Sequence, residues 1–346
     1  MDFMNLPFYS NKTLFGHDNT TNVVAAEVNE GASPAEAVIF FRRNGKVDSE
    51  KREFHPFVLV TSLRLLGGFE KEWTHRELSG GNDYKYCVFC KDFSILKSLL
   101  AHLKKVTGSG YGSPKAPYLY FSDPVNQFLL SSGMTLFKGM KFDDVLRMQI
   151  DIETYCAPEY EFPNPDRDSD RITVISMSDS SGWERVILGT DYDEAQMIRE
   201  MLREIKERDP DVIEGHNFHK FDLYYIERRA KKLKIKLSLG RDGSLLKSHN
   251  SRMNIAERTI VYPKYEIYGR HIIDTWLLAQ LYDVSARELE SYSLKDIARH
   301  FRVSPPGRTY VDHIDIPKLF LTDPEKLAKY SLDDVRETAA ISKILA

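Results

Sequence analysis

The sequence predicts a chain in two parts: a smaller β-rich α+β part, then an α/β part in which a mixed sheet is flanked by helices. Three observations lead there. From Arg147 onward, strand-like and helix-like segments alternate, the pattern of an α/β fold. Before that point, short strand-like runs are punctuated by turn signals, with a single strong helix. At 346 residues the chain is long for one core and comfortable for two. The expected division is 1–145 for the first domain with its connector and 146–346 for the second.

Taken in order, 23–28, 37–41 and 54–60 read as strands, and Asn44-Gly45 is a strong hairpin turn signal. The helix of this part is expected over 93–106. Leu96, Leu99, Leu100 and Leu103 line one face of it, and Gly108 stops it. The stretch 109–114 is rich in glycine and serine, and 115–145 read as a connector. Tyr118, Tyr120 and Phe121 could stack on bases; core packing is the expectation, because aromatic side chains dominate core energetics. In the second part, strands are expected at 147–153, 171–178, 184–188, 211–214 and 270–274, and helices at 193–208, 222–234, 293–301 and 324–345. A hairpin is expected within 244–268.

Bulk properties narrow the function classes. The net charge of −3 does not suit a protein that coats nucleic acid. No apolar run approaches the ~20 residues of a spanning helix, and residues 1–5 lack the basic region that opens a signal peptide. No membrane partner is expected. Three cysteines, few and odd in number, point to a reducing compartment and a cytoplasmic location. Cys87 and Cys90 form a solitary Cys-x-x-Cys within a strand-like run, and a structural role is expected for both.

Three motifs carry the chemistry. In the strand-like run Met148 to Thr154, side chains alternate between faces, so Asp151 and Glu153 project from one side and Ile150 and Ile152 from the other. Paired carboxylates repel unless a cation lies between them. Hard divalent ions prefer oxygen ligands, which suggests Mg2+ or Mn2+. The second motif, His216 to Asp222, runs from a strand end to a helix start, where α/β proteins place ligand-binding groups. Capping that helix is the plain structural role for Asp222. The third is Tyr330-Ser331-Leu332-Asp333-Asp334, in a helix opened by Asp323 and Pro324. Tyr330 and Asp334 are four apart and share a face; Asp333 is expected on the solvated side. Next to the second motif, Arg228, Arg229, Lys231, Lys232, Lys234 and Lys236 form a basic run that could hold a phosphate backbone.

Asp151-Ile152-Glu153-Thr154, Asn217-x-x-x-Phe221-Asp222 and Tyr330-x-x-x-Asp334, in that order, resemble the three exonuclease motifs of the 3'-5' proofreading domain of family B DNA polymerases. That domain belongs to the DEDD superfamily, in the subgroup with tyrosine in the third motif (DEDDy). The flanks agree: Gly269 to Asp274 resembles the strand between motifs two and three, and Tyr292 to Ala298 the helix after it. The resemblance covers most of 140–346, and less specifically the β-rich N-terminal part. It implies an α/β ribonuclease H-like exonuclease domain, preceded by the smaller β-rich α+β domain, with the 244–268 hairpin turned toward DNA.

The activity it implies is hydrolysis of DNA from 3' ends to nucleoside monophosphates, with two divalent ions clamping the scissile phosphate. Asp151 would bridge the two ions, Glu153 and Asp334 would hold the ion on the nucleophile side, and Asp222 the other. Tyr330 would orient the water; its ordinary pKa of about 10 makes it a poor base at pH 7. Asn217 and Phe221 would contact the terminal nucleotide; Thr154, Arg228 and Arg229 are further candidates for nucleic-acid contact. The family's polymerase motifs, Ser-Leu-Tyr-Pro and Asp-Thr-Asp, do not occur. The expectation is therefore an exonuclease without polymerase activity, either independent or part of a longer polymerase, with a polymerase or another replication or repair protein as a further partner. Two alternatives stand beside it: a non-catalytic nucleic-acid-binding module, disfavoured by the complete set of carboxylates and the tyrosine, and an exonuclease of the same chemistry acting on RNA, which the sequence does not separate from one acting on DNA.

Overall fold

The computed structural model describes residues 16–81 and 83–346. Residues 1–5, read above for a leader, lie outside them. The chain forms two compact units, one ending at Lys141 and the other running from Phe142 to Ala346. Among the described residues no helix is long and apolar enough to cross a membrane.

In the first unit, β1 (Val23–Asn29), β2 (Ala35–Arg43) and β3 (Lys46–Phe54) form an antiparallel sheet in that order. Asn44 and Gly45 make the β2–β3 turn, both at positive φ (51° and 77°), the conformation that this residue pair tolerates. The sequence reading missed β3. Its residues are almost all polar and exposed, so it carries no apolar alternation. A second sheet, in the order β5-β6-β4-β7, is built from β4 (Phe57–Val60), β5 (Trp73–Glu77), β6 (Tyr86–Cys90) and β7 (Tyr118–Leu119). What was read as one strand over 54–60 is the end of β3 and all of β4. The two are separated at Pro56, which has no backbone N–H to give a ladder.

Helix α1 (Phe93–Thr107) buries Leu96, Leu99 and Leu103 and ends at Gly108, at φ 67°. A short α2 (Pro124–Ser132), not expected from the sequence, lies within the supposed connector, capped by Asp123. Tyr118 is buried and its hydroxyl donates to Ser109 O, a core role. Cys87 and Cys90 are buried and unbridged, and burial pushes both thiols up to about 12, outside the reactive range.

The second unit is a five-stranded mixed sheet in the order β10-β9-β8-β11-β14. Its strands are β8 (Arg147–Thr154), β9 (Ile172–Asp179), β10 (Glu184–Leu188), β11 (Val212–Gly215) and β14 (His271–Asp274). β8 is central, antiparallel to β9 and parallel to β11. One face of β8 carries Met148, Ile150 and Ile152. These pack with Met197, Ile198 and Met201 of α3 (Glu194–Arg208) and with Leu223 and Ile226 of α4 (Asp222–Lys232). Between α4 and β14 lies an antiparallel hairpin, β12 (Lys247–Ile255) and β13 (Arg258–Glu266).

After β14 come α5 (Thr275–Ala286), α6 (Leu294–Phe301), α7 (Ile316–Thr322) and α8 (Pro324–Leu345). α5 and α7 were not expected. α8, capped by Asp323 with Pro324 in its first turn, packs against β8, β9 and β11. The interface beneath it is polar. Gln149 and Ser342 both bond Glu214 (2.7 and 2.8 Å), Arg147 lies 3.2 Å from the same carboxylate, and Ser178 donates to Gln149. Each buried polar group there needs a partner, so β8 has one oily face and one wet one.

Candidate active site

The wet face of β8 holds Asp151 and Glu153, and α8 lays Asp334 against them. The three carboxylates offer ligand atoms within 4.8 Å of one another. Asp151 is half-buried, whereas Glu153 and Asp334 are buried. Ser331, also on α8, donates to Asp151 Oδ2 at 3.1 Å and so ties the helix to the strand.

Asp222 reaches the cluster from the other side of β8. It is the first residue of α4, but its carboxylate does not cap that helix. The cap position is Phe221, which makes no side-chain capping bond. Asp222 Oδ1 instead accepts from the Ile152 N–H at 3.1 Å, between the two acids of the first motif.

The electrostatics are lopsided. Desolvation and then the charge of Asp334 push Asp151 up to about 8. Burial, then Asp151, raise Glu153 and Asp222 well above the carboxylate range. Asp334 is raised by burial but opposed by two cations. Arg308 ion-pairs directly with Asp334 Oδ1, and Lys295 Nζ lies 3.5 Å from Oδ2. Arg308 is buried. Its Nη1 donates to Tyr330 O (3.2 Å), its Nε lies 3.1 Å from Glu337, and it also faces Asp333 at 3.7 Å. Lys295 donates to the Tyr330 hydroxyl and lies 4.5 Å from the centre of its ring. Tyr330 is buried. Burial and the charges of Asp334, Glu153 and Asp151 raise its phenol above its ordinary range, so it holds its proton.

Arg308 and Lys295 were not singled out from the sequence. Lys295 lies in the Tyr292 to Ala298 segment, whose likeness to the family's helix was the available signal. Arg308 lies on the irregular segment before α7, where no local pattern marks it. For the same reason Asp333 departs from the expected solvated side. It is not on a solvated face but 2% exposed, accepting from the Thr309 N–H at 3.0 Å and from Arg336 at 3.2 Å. The 302–312 segment folds over it.

From Glu153 a cavity of 840 Å³ opens, lined by Thr154, Tyr155, Phe162, Phe221, Ile314 and Leu321 among others. Thr154 and Phe221 therefore lie beside the carboxylates. Asn217 sits in the loop between β11 and α4, at φ 57°. The two arginines face elsewhere. Arg229 is 4% exposed and forks onto Glu194 (2.6 and 2.7 Å), so it braces α4 against α3 and offers no charge to a phosphate. Arg228 forks onto Asp166, 2.7 Å at the closest.

Three carboxylates on one spot, raised by burial and, at Asp151 and Glu153, also by neighbouring carboxylate charge, suit a hard divalent cation held by oxygen. Residues 134–297 match the model of the exonuclease domain of DNA polymerase family B. The chain is 31% identical over 229 residues to a DNA polymerase of Pyrococcus horikoshii, covering 63% of this chain and 17% of that one. It is 30% identical over 238 residues to a DNA polymerase of Thermococcus kodakarensis, covering 65% and 13%. The fold is similar to that of the family B DNA polymerase from the hyperthermophilic archaeon Pyrobaculum calidifontis. There the TM-score is 0.67 at 20% identity, over 93% of this chain and 45% of the other. The chain spans under a fifth of the length of these two polymerases. Asp151, Glu153 and Asp222 lie within the stretch similar to that exonuclease domain, and Asp334 of α8 joins Asp151 and Glu153 from beyond it.

Proposed function

We propose that this chain is a metal-dependent 3'-5' exodeoxyribonuclease, built on a ribonuclease H-like domain and removing nucleoside monophosphates from single-stranded or frayed 3' ends. The observation that carries the reading is the Asp151, Glu153 and Asp334 cluster, with Asp222 on its far side and a protonated tyrosine against it. The four carboxylates would hold two divalent ions, Mg2+ or Mn2+; bound there, the ions would activate water and stabilise the departing 3' oxygen.

The chain's own groups do the rest. Tyr330 keeps its proton and offers a fixed hydroxyl to orient the attacking water. Lys295 fixes that hydroxyl and adds positive charge beside the phosphate. Ser331 and Arg308 set the carboxylates of Asp151 and Asp334. The 840 Å³ cavity beside Glu153, with Thr154 and Phe221 in its wall, suits an unpaired terminal nucleotide held by stacking. Asn217 would meet the same nucleotide. The division into an N-terminal module and an exonuclease domain, a cytoplasmic location, DNA as substrate and a replication or repair protein as partner belong to the same proposal.

The test is a gel assay on strands labelled at either end, with Mn2+ or Mg2+ and with chelator. Ladders that shorten from the 3' end only, in the presence of metal only, are expected. Internal fragments, or equal rates on paired and mispaired ends, would refute a proofreading-type site, since a paired end must first lose a few kcal/mol of pairing.

A further inference from the structure

We propose that Asp274 is the positioning residue of the second motif, fixing the loop that carries Asn217 and Asp222; the catalytic side of this inference rests on the exonuclease reading above. Asp274 is the last residue of β14, next to Gly215 in the parallel register with β11. Its carboxylate is buried and serves two element starts at once. Oδ1 accepts from the Trp276 N–H at 3.0 Å, capping α5. Oδ2 accepts from the His219 N–H at 3.1 Å, inside the loop between β11 and α4. Burial pushes the Asp274 carboxyl up to about 6, opposed by the amides of His219, Trp276, Asn217 and Leu277 around it.

The loop needs such a hold. Asn217 is in the left-handed region (φ 57°), which asparagine tolerates but does not prefer. A Cβ on Gly215 would meet the Phe218 ring at 2.2 Å, so the chain turns there against a fully buried ring. His216 is held between Thr275 Oγ1 and Tyr292 O, each at 3.0 Å, and contributes no charge at neutral pH because burial lowers it to about 4. Asp222 follows Phe218 by one turn and bonds back onto β8. A carboxylate has two acceptor oxygens that can face two directions. With one on α5 and one on the loop, Asp274 locks the loop to the sheet at the height of the metal-binding acids.

Capping and positioning can be separated. Serine is a good N-cap but has one short oxygen, so Asp274→Ser keeps the α5 cap and loses the reach to His219. Three readouts are taken on the full chain: amide hydrogen exchange at His219 and Trp276, Mn2+ affinity by electron paramagnetic resonance, and kcat and KM on a single strand. The expected result is His219 exchange at least tenfold faster with Trp276 unchanged, Mn2+ affinity at least fivefold weaker, and kcat down at least tenfold. If Asp274→Ser does not fold, Asp274→Asn, which keeps the shape and one acceptor, is read in the same way. Unchanged His219 exchange, or unchanged Mn2+ affinity with a loosened loop, would overturn the positioning role. If the parent chain cuts no strand, the exonuclease reading fails, while exchange and Mn2+ binding still judge Asp274.

Discussion

The two sides of the carboxylate cluster differ in where their positive charge comes from. Asp334 has Arg308 on one oxygen and Lys295 near the other. Asp222 has a backbone N–H from Ile152, and the leading influences on its charge besides burial include the repulsion of Asp151. One side is a finished ion-pair network; the other is electrostatically incomplete. Charges leave water only when something compensates them, so the Asp222 and Glu153 side is where an ion from solution adds most. Removing its members in turn tests the contrast.

The largest expected effect is at the centre. Asp151→Ala removes the group that both sides share, and nuclease activity should fall at least 10³-fold, about 4 kcal/mol of transition-state stabilisation. Thermal unfolding should show an intact fold, because one crowded charge has gone. A variant that kept a tenth of the parent's activity would displace Asp151 from the centre.

On the finished side, Arg308→Gln leaves Asp334, Asp333 and Glu337 without their shared cation. Breaking a buried pair by removing one partner costs about 3–5 kcal/mol, and denaturant unfolding of the metal-free protein should show a loss near the lower figure. A loss below about 1 kcal/mol would mean that solvent already screens these charges.

On the incomplete side the prediction concerns pH and metal. Asp151 titrates at about 8 in the fold, and Glu153 and Asp222 are also raised. The unfolded values are about 4. Folded-state values above unfolded ones mean a contribution to stability that is present below about pH 4 and lost as pH rises toward 8. In chelator, the melting temperature should therefore fall between pH 5 and 8, by about 2–4 °C for each kcal/mol lost. Mg2+ should restore it more at pH 8 than at pH 6, since the ion binds the deprotonated acids. Asp222→Asn should flatten this dependence at little cost, whereas Asp334→Asn should destabilise by taking from buried Arg308 one of its three carboxylates. Similar behaviour of the two asparagine variants would erase the contrast.

How legible each side was in the sequence follows from how local its determinants are. The alternation that puts Asp151 and Glu153 on one face is a property of seven consecutive residues, and the four-residue spacing of Tyr330 and Asp334 a property of one helical turn. Both could be read directly. For Asp222 the local pattern alone left capping and ligand binding open, because its partner, the Ile152 N–H, is 70 residues away. Arg308, Asp333 and Arg229 depend likewise on distant partners, which no window of sequence contains. Helix α5 was missed because it is largely apolar and lacks a strong one-sided stripe, and α7 because it is a single short stretch of seven residues. The polar strand β3 pairs through its backbone and leaves no side-chain signature.

The smallest expected effect tests what the finished side is for. Tyr330 sits between Lys295, which donates to its hydroxyl, and the acids that raise its phenol. A phenol held protonated cannot serve as a base at pH 7; it can present a hydroxyl in a fixed direction. Tyr330→Phe removes that hydroxyl and keeps the ring, which packs with Val174, Phe320 and Leu327. Stability and Mn2+ affinity should hardly change. The single-turnover rate with saturating enzyme should fall about tenfold, which is 1.4 kcal/mol, the pattern of an interaction made mainly in the transition state. Lys295→Met in the same assay should cost at least as much, since it leaves the hydroxyl unfixed and also removes charge. If Tyr330→Phe left the rate unchanged while Lys295→Met lowered it, Lys295 would act on its own, and the tyrosine would be packing.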